Sequence, residues 1–302
     1  MTTNNRLGFS LIENAYDSLD HGIEHLEKAV TEDNPFEYKR AVLDFCHAAE
    51  LLLKEVLFRI NPIYVFDKND LFKRCEDPLN PTINELYICR SLEVNPLCDA
   101  IRKYAPDLSA NTGANLKVFS NTAAPFRNKI QHFCFETSEE EVRGILLKLS
   151  YQLLSPVYTY LDMDKEFDPI MERLYVAFRM ENVINYHSEE LRDQNKVFDI
   201  GSCFSCGLYG LFLLFDNSTG YTNSCHCVGC GFALPKIPIE EYRVCPECSG
   251  YTLIYSSELQ GGVCTYYRCA NHKDGGILIS MEFCTDCHDY KVEEVCKCTE
   301  DI

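Results

Sequence analysis

Thirteen of the 18 cysteines of this chain lie between Cys203 and Cys298, and most of them form C-x2-C pairs. A C-x2-C pair turns tightly enough to place two sulfurs on one metal ion. The N-terminal residues lack a basic flank before an apolar stretch, so we expect no signal peptide and a cytoplasmic protein. In a reducing compartment such pairs are typical of metal sites rather than disulfides. The C-terminal third is therefore predicted to fold on structural Zn²⁺.

The first predicted zinc site uses two pairs that are each followed by glycine, Cys203-x2-Cys206 and Cys227-x2-Cys230, with 20 residues between the pairs. Those 20 residues hold a strand, a turn and room for a return strand, which is the arrangement of a zinc ribbon. The glycine can adopt a positive φ, so that backbone N–H groups turn towards the thiolates. Cys225 is an alternative to Cys227 as a ligand.

The second predicted site begins with Cys245 and Cys248. Cys269-x2-His272 closes it after another 20 residues and so repeats the spacing of the first site. Cys264 is then a spare or an alternative ligand. We favour closure by Cys269 and His272.

A competing closure of the second site uses Cys284 and Cys287. If Cys269 and His272 close it instead, four cysteines remain for a third, short-looped site: Cys284, Cys287, Cys296 and Cys298. The sequence thus predicts two to three Zn²⁺ ions. None of the sets resembles a catalytic motif such as HExxH, so we expect structural metal.

Residues 1–200 show apolar positions at helical spacing. The predicted helices cover residues 7–31, 35–60, 84–104, 116–135, 142–161 and 171–193. Prolines between 61 and 82 and the polar segment 109–113 predict loops.

The residues after 200 have a different sequence pattern. Short β-prone runs at 208–215 and 251–256 predict strands. The fold class is therefore mainly α, with a helical domain of residues 1–200 followed by a small β-rich zinc-ribbon module of residues 201–302.

The formal net charge is -18, and both halves are acidic, with 22 basic and 33 acidic side chains before residue 201 and 6 and 13 after it. Non-specific affinity for nucleic acid comes mainly from Lys and Arg contacts to phosphate. A general polyanion-binding surface is thus excluded, and any nucleic acid must bind at a local patch. No apolar run approaches the ~20 residues of a membrane span, so we expect no membrane partner.

One candidate patch lies in the predicted helix over residues 116–135. Asn128 and His132 are four positions apart and share a helical face, while Arg127 lies about 140° from His132 and can reach the same patch with its long side chain. Histidine can move a proton at neutral pH, and arginine can stabilise charge that develops on phosphate. These side chains suit RNA cleavage without a metal, although an Arg and a His this close are also common on ordinary helix surfaces.

The stretch HAAELLLK at residues 47–54 and the later Arg127-Asn128-x3-His132 together resemble the HEPN superfamily (higher eukaryotes and prokaryotes nucleotide-binding domains). In that family an Ala-x-Glu-x2-Leu-Lys-like segment lies in an early helix and an R-x4-6-H motif in a late one. The resemblance spans roughly residues 7–165. It implies a helical bundle that dimerises, with the motifs of two subunits in one cleft that cleaves RNA through the neighbouring 2′-hydroxyl.

Carried onto this chain, the resemblance makes Arg127 and His132 the catalytic pair and Asn128 the polar residue after the arginine. Glu50 matches the early-helix acid and would orient Arg127 or the cleft. An ion pair that only stabilises the bundle is the alternative reading of Glu50.

The expected function is a metal-independent RNA endonuclease, acting on RNA such as tRNA as a homodimer through the helical domain. The zinc ribbons would select its substrate, a regulatory protein partner or a trigger. Family resemblance points to bacterial antiviral defence or a toxin system. The alternative is a non-catalytic scaffold whose zinc ribbons bind protein or nucleic acid.

Overall fold

The computed structural model describes residues 10–32, 34–132, 136–215, 222–234, 241–257, 259–266, 269, 278–287, 289–293 and 296. The chain divides into two compact units, Met1–Phe178 and Arg179–Ile302. This division precedes the boundary near residue 200 that the sequence predicts. The reason is that the helix Met180–Asp193, the last one among the described residues, packs on strands of the C-terminal unit.

The N-terminal unit is helical, as predicted. Its helices are α1 (Leu11–Glu32), α2 (Pro35–Ile60), α3 (Lys68–Arg74), α4 (Ile83–Ile88), α5 (Val94–Tyr104), α6 (Pro106–Thr112), α7 (Ala124–His132), α8 (Glu139–Leu149), α9 (Ser155–Tyr160) and α10 (Asp164–Ala177). No helix among the described residues is both long enough and apolar enough to cross a membrane.

Helix α2 is the centre of this unit and contacts α1, α5, α7, α8 and α9. It begins at Pro35 because Asn34 caps it, with the Asn34 side chain accepting from the backbone N–H of Phe36, and because proline at a first helical position loses no hydrogen bond. Its apolar face is fully buried along most of its length: Ala41, Val42, Phe45, Ala49, Leu52, Leu53 and Leu57.

Gly22 allows α1 and α2 to approach closely. A Cβ at this position would lie 2.7 Å from Cδ2 and 2.9 Å from Cε2 of Phe45, whose ring is completely buried. We therefore expect Gly22→Ala to destabilise the helical unit by about 1–3 kcal/mol through overpacking, despite the better helix propensity of alanine. Urea denaturation followed by far-UV circular dichroism measures this. An unchanged or increased stability would show that Phe45 repacks freely.

Two π-helical segments, Val118–Ala123 and Ser150–Leu154, accommodate prolines inside continuous helical chain. The N–H of Ala124 bonds to the carbonyl of Phe119, five residues back, and Pro125 follows immediately. Proline lacks an N–H and clashes with the carbonyl four residues earlier, and the wider π-turn relieves both problems. Pro125 thus lies in the first turn of α7, and α7 carries residues 127–132 as a regular helix.

Two loop predictions missed short helices. The segment 61–82 contains α3 after a 3-10 turn at Pro62–Val65. The segment 109–113 is the end of α6, which starts with Pro106 and ends where Gly113 adopts the left-handed conformation with φ 72°.

The C-terminal unit contains α11 (Met180–Asp193) and small antiparallel sheets. Its strands are β1 (Phe198–Ser202), β2 (Tyr209–Phe215), β3 (Thr222–Cys227), β4 (Ala233–Leu234), β5 (Arg243–Val244), β6 (Tyr251–Ser256), β7 (Gly261–Cys264), β8 (Met281–Cys284) and β9 (Asp289–Val292). The sheet orders are β1-β2-β3-β4, β5-β6-β7 and β8-β9. The predicted strands at 208–215 and 251–256 correspond to β2 and β6.

Helix α11 lies against the first sheet. The ring of His187 meets the ring of Phe212 edge-on at 4.6 Å, and the side chain of Ile184 lies over Gly210. The single helix predicted over residues 171–193 is therefore two helices, interrupted at 178–179, and only its second part, α11, belongs to the C-terminal unit.

Candidate metal centres and a candidate catalytic cluster

The first cysteine cluster contains the four predicted ligands Cys203, Cys206, Cys227 and Cys230, all buried. The sulfurs of Cys203 and Cys230 lie 3.7 Å apart, as do those of Cys206 and Cys227. One pair directly follows β1 and the other starts at the last residue of β3, so the sheet brings together two turns that are distant in sequence. Cys225, the proposed substitute, is buried outside the cluster.

The two turns of this cluster have the same backbone geometry. Gly207 and Gly231 adopt φ values of 68° and 71°. The N–H of Ser205 donates to the sulfur of Cys203, and the N–H of Gly229 donates to that of Cys227, both at 3.3 Å. Donors aimed at sulfur stabilise thiolates, the form that binds metal. The expected role of glycine after each pair is thereby confirmed.

Burial raises the pKa of Cys203, whereas hydrogen bonds donated by the neighbouring thiols lower the pKa of Cys227. The four thiols therefore share protons, because four thiolates so close together repel one another. A divalent cation removes that repulsion and replaces the protons.

The second cluster contains Cys245, Cys248, Cys264 and Cys269. The sulfurs of Cys245 and Cys269 are 3.9 Å apart, and those of Cys248 and Cys264 are 3.8 Å apart. Cys264, which the sequence offers as a spare or alternative ligand, thus completes a four-sulfur set with Cys245, Cys248 and Cys269. His272 lies outside the described residues.

Cys264 reaches the second cluster because it ends β7, the return strand of the hairpin that begins with β6. The hydroxyl of Thr252 lies 3.2 Å from its sulfur and 3.4 Å from that of Cys248. A hydroxyl between two ligand sulfurs can donate to either and so orient both.

The third cluster contains Cys284, Cys287 and Cys296, so Cys284 and Cys287 do not close the second site. The sulfurs of Cys287 and Cys296 are 3.4 Å apart. Backbone N–H groups of Cys287 and Asp286 lower the pKa of Cys284 to about 6, which favours its thiolate at neutral pH. Cys298, the fourth predicted ligand, lies outside the described residues.

The distances between the cysteine sulfurs test whether the clusters have the size that Zn²⁺ requires. Four thiolates at about 2.3 Å from Zn²⁺ in a tetrahedron are about 3.8 Å from one another. The pairs in the first two clusters, at 3.7 to 3.9 Å, match that edge length. These clusters could therefore bind zinc, and four-sulfur sets are the closed type typical of structural metal.

Three of the candidate catalytic residues, Arg127, Asn128 and Glu50, meet where α7 packs on α2. Nη1 of Arg127 lies 3.6 Å from Oε2 of Glu50. Nε and Nη2 of Arg127 donate to Oδ1 of Asn128 at 3.3 and 3.2 Å. The arginine and glutamate side chains are each 22% exposed, so the guanidinium is held in a partly buried position that solvent still reaches.

Lys54 and Ser91 belong to the same polar cluster, and sequence reasoning assigned neither of them a role. The Lys54 ammonium donates to Oε1 of Glu50 at 2.6 Å and to the hydroxyl of Ser91 at 2.9 Å. Glu50 therefore faces two cations, and the group of Glu50, Lys54 and Arg127 retains a net charge of +1. Cys46 lies nearby, but burial raises its pKa to about 12, so it remains protonated and is a poor nucleophile.

His132 is exposed in the last turn of α7, one turn beyond Asn128 on the same face. Its ring is accessible to a ligand that approaches this face. The structure thus links Arg127, Asn128 and Glu50 by contacts and places His132 on the exposed surface at the end of the same helix.

Residues 108–135 contain no Asp or Glu, although the chain has 46 acidic residues. The same segment holds Lys117, Arg127, Lys129 and His132. A local cationic surface is what phosphate binding requires in an otherwise acidic protein. This signal is readable in the sequence.

No protein-family model, curated protein or solved structure matches this chain at a significant level. We therefore infer the function from the residues of the chain itself.

Proposed function

We propose that the helical unit is a metal-independent RNA endonuclease of the HEPN class, with Arg127 and His132 as its catalytic residues. The observation that carries the proposal is the placement of Arg127, which Glu50 and Asn128 hold on α7, a helix that has no acidic residues and that ends with the exposed His132. A restrained cation next to an accessible proton-transfer group is the minimum that cleavage of a phosphodiester through its own hydroxyl needs.

The proposed reaction uses the ribose 2′-hydroxyl as nucleophile. His132 takes the proton as the 2′-oxygen bonds to phosphorus, and Arg127 stabilises the negative charge that develops on the phosphoryl oxygens. The bond to the 5′-oxygen breaks, and that oxygen takes a proton. The products are a 2′,3′-cyclic phosphate and a 5′-hydroxyl, and no metal ion takes part.

Asn128 and Glu50 are assigned positioning roles. Asn128 contacts the guanidinium directly, and Glu50 contacts it from α2 while Lys54 holds the other carboxylate oxygen. Glu50 is therefore anchored before it orients Arg127. Pre-positioned charge of this kind costs little reorganisation during reaction.

The cysteine-rich unit is proposed to select the RNA, such as tRNA, or a regulatory protein. Structural metal sites hold small sheets rigid and leave their outer surfaces for recognition. A role in antiviral defence or as a toxin is the biological setting that the HEPN resemblance suggests.

A non-catalytic scaffold is the second candidate, and the net charge of -18 favours it. An acidic protein repels RNA except at a local cationic region such as the segment 108–135, which contains no Asp or Glu. In that case Glu50, Lys54 and Arg127 would only stabilise the packing of α7 on α2.

The two candidate functions predict different results when purified protein is incubated with total RNA, with tRNA and with DNA of the same sequence. A chelator mild enough to spare the cysteine sites excludes free divalent ions. The nuclease proposal predicts RNA products with 2′,3′-cyclic phosphate ends and intact DNA. Cleavage of DNA at an equal rate would exclude the 2′-hydroxyl mechanism.

Dimerisation is a separate expectation of the proposal. If the motifs of two subunits form one cleft, the full chain should have twice the mass of one chain by light scattering at micromolar concentration. Its specific activity should fall on dilution as subunits separate. A protein that is active and strictly monomeric would contradict the composite cleft but leave the chemistry of His132 intact.

A further inference from the structure

Two cysteines of the helical unit meet outside the metal clusters. Cys75 directly follows α3 and Cys89 directly follows α4. Their sulfurs lie 3.7 Å apart although the residues are 14 positions apart in sequence. Neither belongs to a group of metal-ligating side chains among the described residues.

The surroundings of the pair are apolar on one side and open on the other. Leu71, Leu86, Ile63 and Phe66 pack around the sulfurs in a small core. Cys75 is 8% exposed, whereas Cys89 is more accessible. A reagent in solution therefore reaches Cys89 first, and Cys75 lies behind it.

We propose that Cys75 and Cys89 form a reversible disulfide by exchange with a low-molecular-weight disulfide such as oxidised glutathione. The Cys89 thiolate attacks one sulfur of the reagent, forms a mixed disulfide and releases one glutathione thiolate. Burial raises the pKa of Cys75 to about 11, so ring closure is the slow step, in which Cys75 loses its proton to solvent, attacks the adjacent Cys89 sulfur and releases the second glutathione. Two electrons pass from the protein dithiol to the reagent, and two glutathione thiols result.

The local backbone permits the bond. A disulfide needs its sulfurs about 2.0 Å apart, so the present separation must shorten. Both cysteines lie just beyond a helix in extended conformation, with φ and ψ of -100° and 139° at Cys75 and -83° and 144° at Cys89. Side-chain rotation at these positions does not disturb a helical turn.

A Cys75–Cys89 disulfide would restrain the segment 89–91, which leads to the polar cluster of Glu50, Lys54 and Arg127. The backbone N–H of Arg90 donates to Asp70 at 2.6 Å, and Ser91 pairs with Phe66 in an isolated bridge. Ser91 also accepts the hydrogen bond from Lys54, the partner of Glu50. Any effect of the disulfide on RNA cleavage rests on the proposed function. Formation of the disulfide does not depend on that function.

The sequence provides a direct readout, because cleavage after Arg74 and Arg90 leaves both cysteines on one tryptic peptide, residues 75–90. The metal-bound full chain is incubated with oxidised glutathione and then alkylated. We expect this peptide to lose both alkylation tags and two hydrogens, and dithiothreitol to restore both tags. The peptides with the buried Cys46 and Cys98 serve as internal controls and should not react.

Hydrogen exchange gives a second measurement on the same samples. Closing this loop removes entropy from its open state, so exchange within residues 75–91 should slow by up to roughly 100-fold on oxidation. Cys89→Ser should abolish both the internal disulfide and the slowing. Unchanged metal content and helicity establish that this variant is folded, and Cys75→Ala is the second variant if it is not.

Three results would overturn the proposal. One is a pair that remains fully alkylatable after exchange, and another is a mixed disulfide that persists on Cys89 without closure. The third is release of metal before the 75–90 peptide changes, which would make the cluster cysteines the reactive thiols.

Discussion

Cys203→Ser should release one metal ion per chain and unfold the sheet β1-β2-β3-β4. The four sulfurs of the first cluster are buried and join the turn after β1 to the turn at the end of β3. In small zinc modules, metal binding supplies about 10–16 kcal/mol of apparent folding free energy, which is as large as the whole stability of a typical domain. Metal analysis of the purified reduced protein and hydrogen exchange of the strands measure both effects.

The control for this prediction is Cys225→Ser. Cys225 is 2% exposed and two residues from the ligand Cys227, but it lies outside the cluster. It should keep its full metal content, with only the modest loss of stability that a buried polar substitution causes. Equal metal loss in both variants would mean that buried thiols in general, rather than ligands, hold the unit together.

A second pair of variants distinguishes Cys264 from His272 as the fourth ligand of the second site. Cys264→Ser should lose one metal ion, because its sulfur is 3.8 Å from that of Cys248. His272→Ala should lose none. The opposite result would restore the ligand set that spacing alone favours.

Spacing and structure favour different fourth ligands at the second site, for a physical reason. Twenty residues lie between Cys248 and Cys269, as between the two pairs of the first site, and that spacing predicts Cys269 with His272. Strand register brings Cys264 to the cluster, because Leu253 of β6 pairs with Cys264 of β7. Register depends on the turn between the strands and on packing, which ligand spacing does not include.

In the helical unit, too, the features that depend on neighbouring residues can be predicted from the sequence, whereas contacts between distant residues cannot. The start of α2 at Pro35 follows from a capping residue and a proline that act locally. Pro106 and Gly113 are equivalent local signals for α6, and they were missed because the segment between them is short and polar. Contacts such as Lys54 with Ser91 join residues 37 positions apart, and no local pattern indicates them.

Loss of RNA cleavage in His132→Ala and in Arg127→Ala is the second large effect that we expect. Removal of a proton-transfer group or of a positioned cation typically lowers a rate by 10²-fold or more. Both variants should fold. His132 is exposed, and removal of Arg127 leaves Glu50 paired with Lys54 at 2.6 Å rather than stranded.

Matched controls come from residues of the same types outside the cluster. His21 is an exposed histidine that pairs with Asp17, and Arg102 is an exposed arginine that pairs with Asp99. His21→Ala and Arg102→Ala should retain wild-type cleavage, whereas Asn128→Ala should be intermediate, because Asn128 positions the guanidinium and transfers no proton. All five variants should match wild type in metal content, helicity and mass.

Arg127→Lys distinguishes charge from geometry at this site. Lysine keeps the positive charge but cannot donate to Asn128 and Glu50 through a planar fork. If Arg127 acts from a fixed position, Arg127→Lys should be nearly as slow as Arg127→Ala while binding RNA with similar affinity. Full activity in His132→Ala would rule out the mechanism. A wild-type protein that cleaves no RNA, but whose α7 and α2 come apart in Arg127→Ala, would assign the cluster to the packing of the helices.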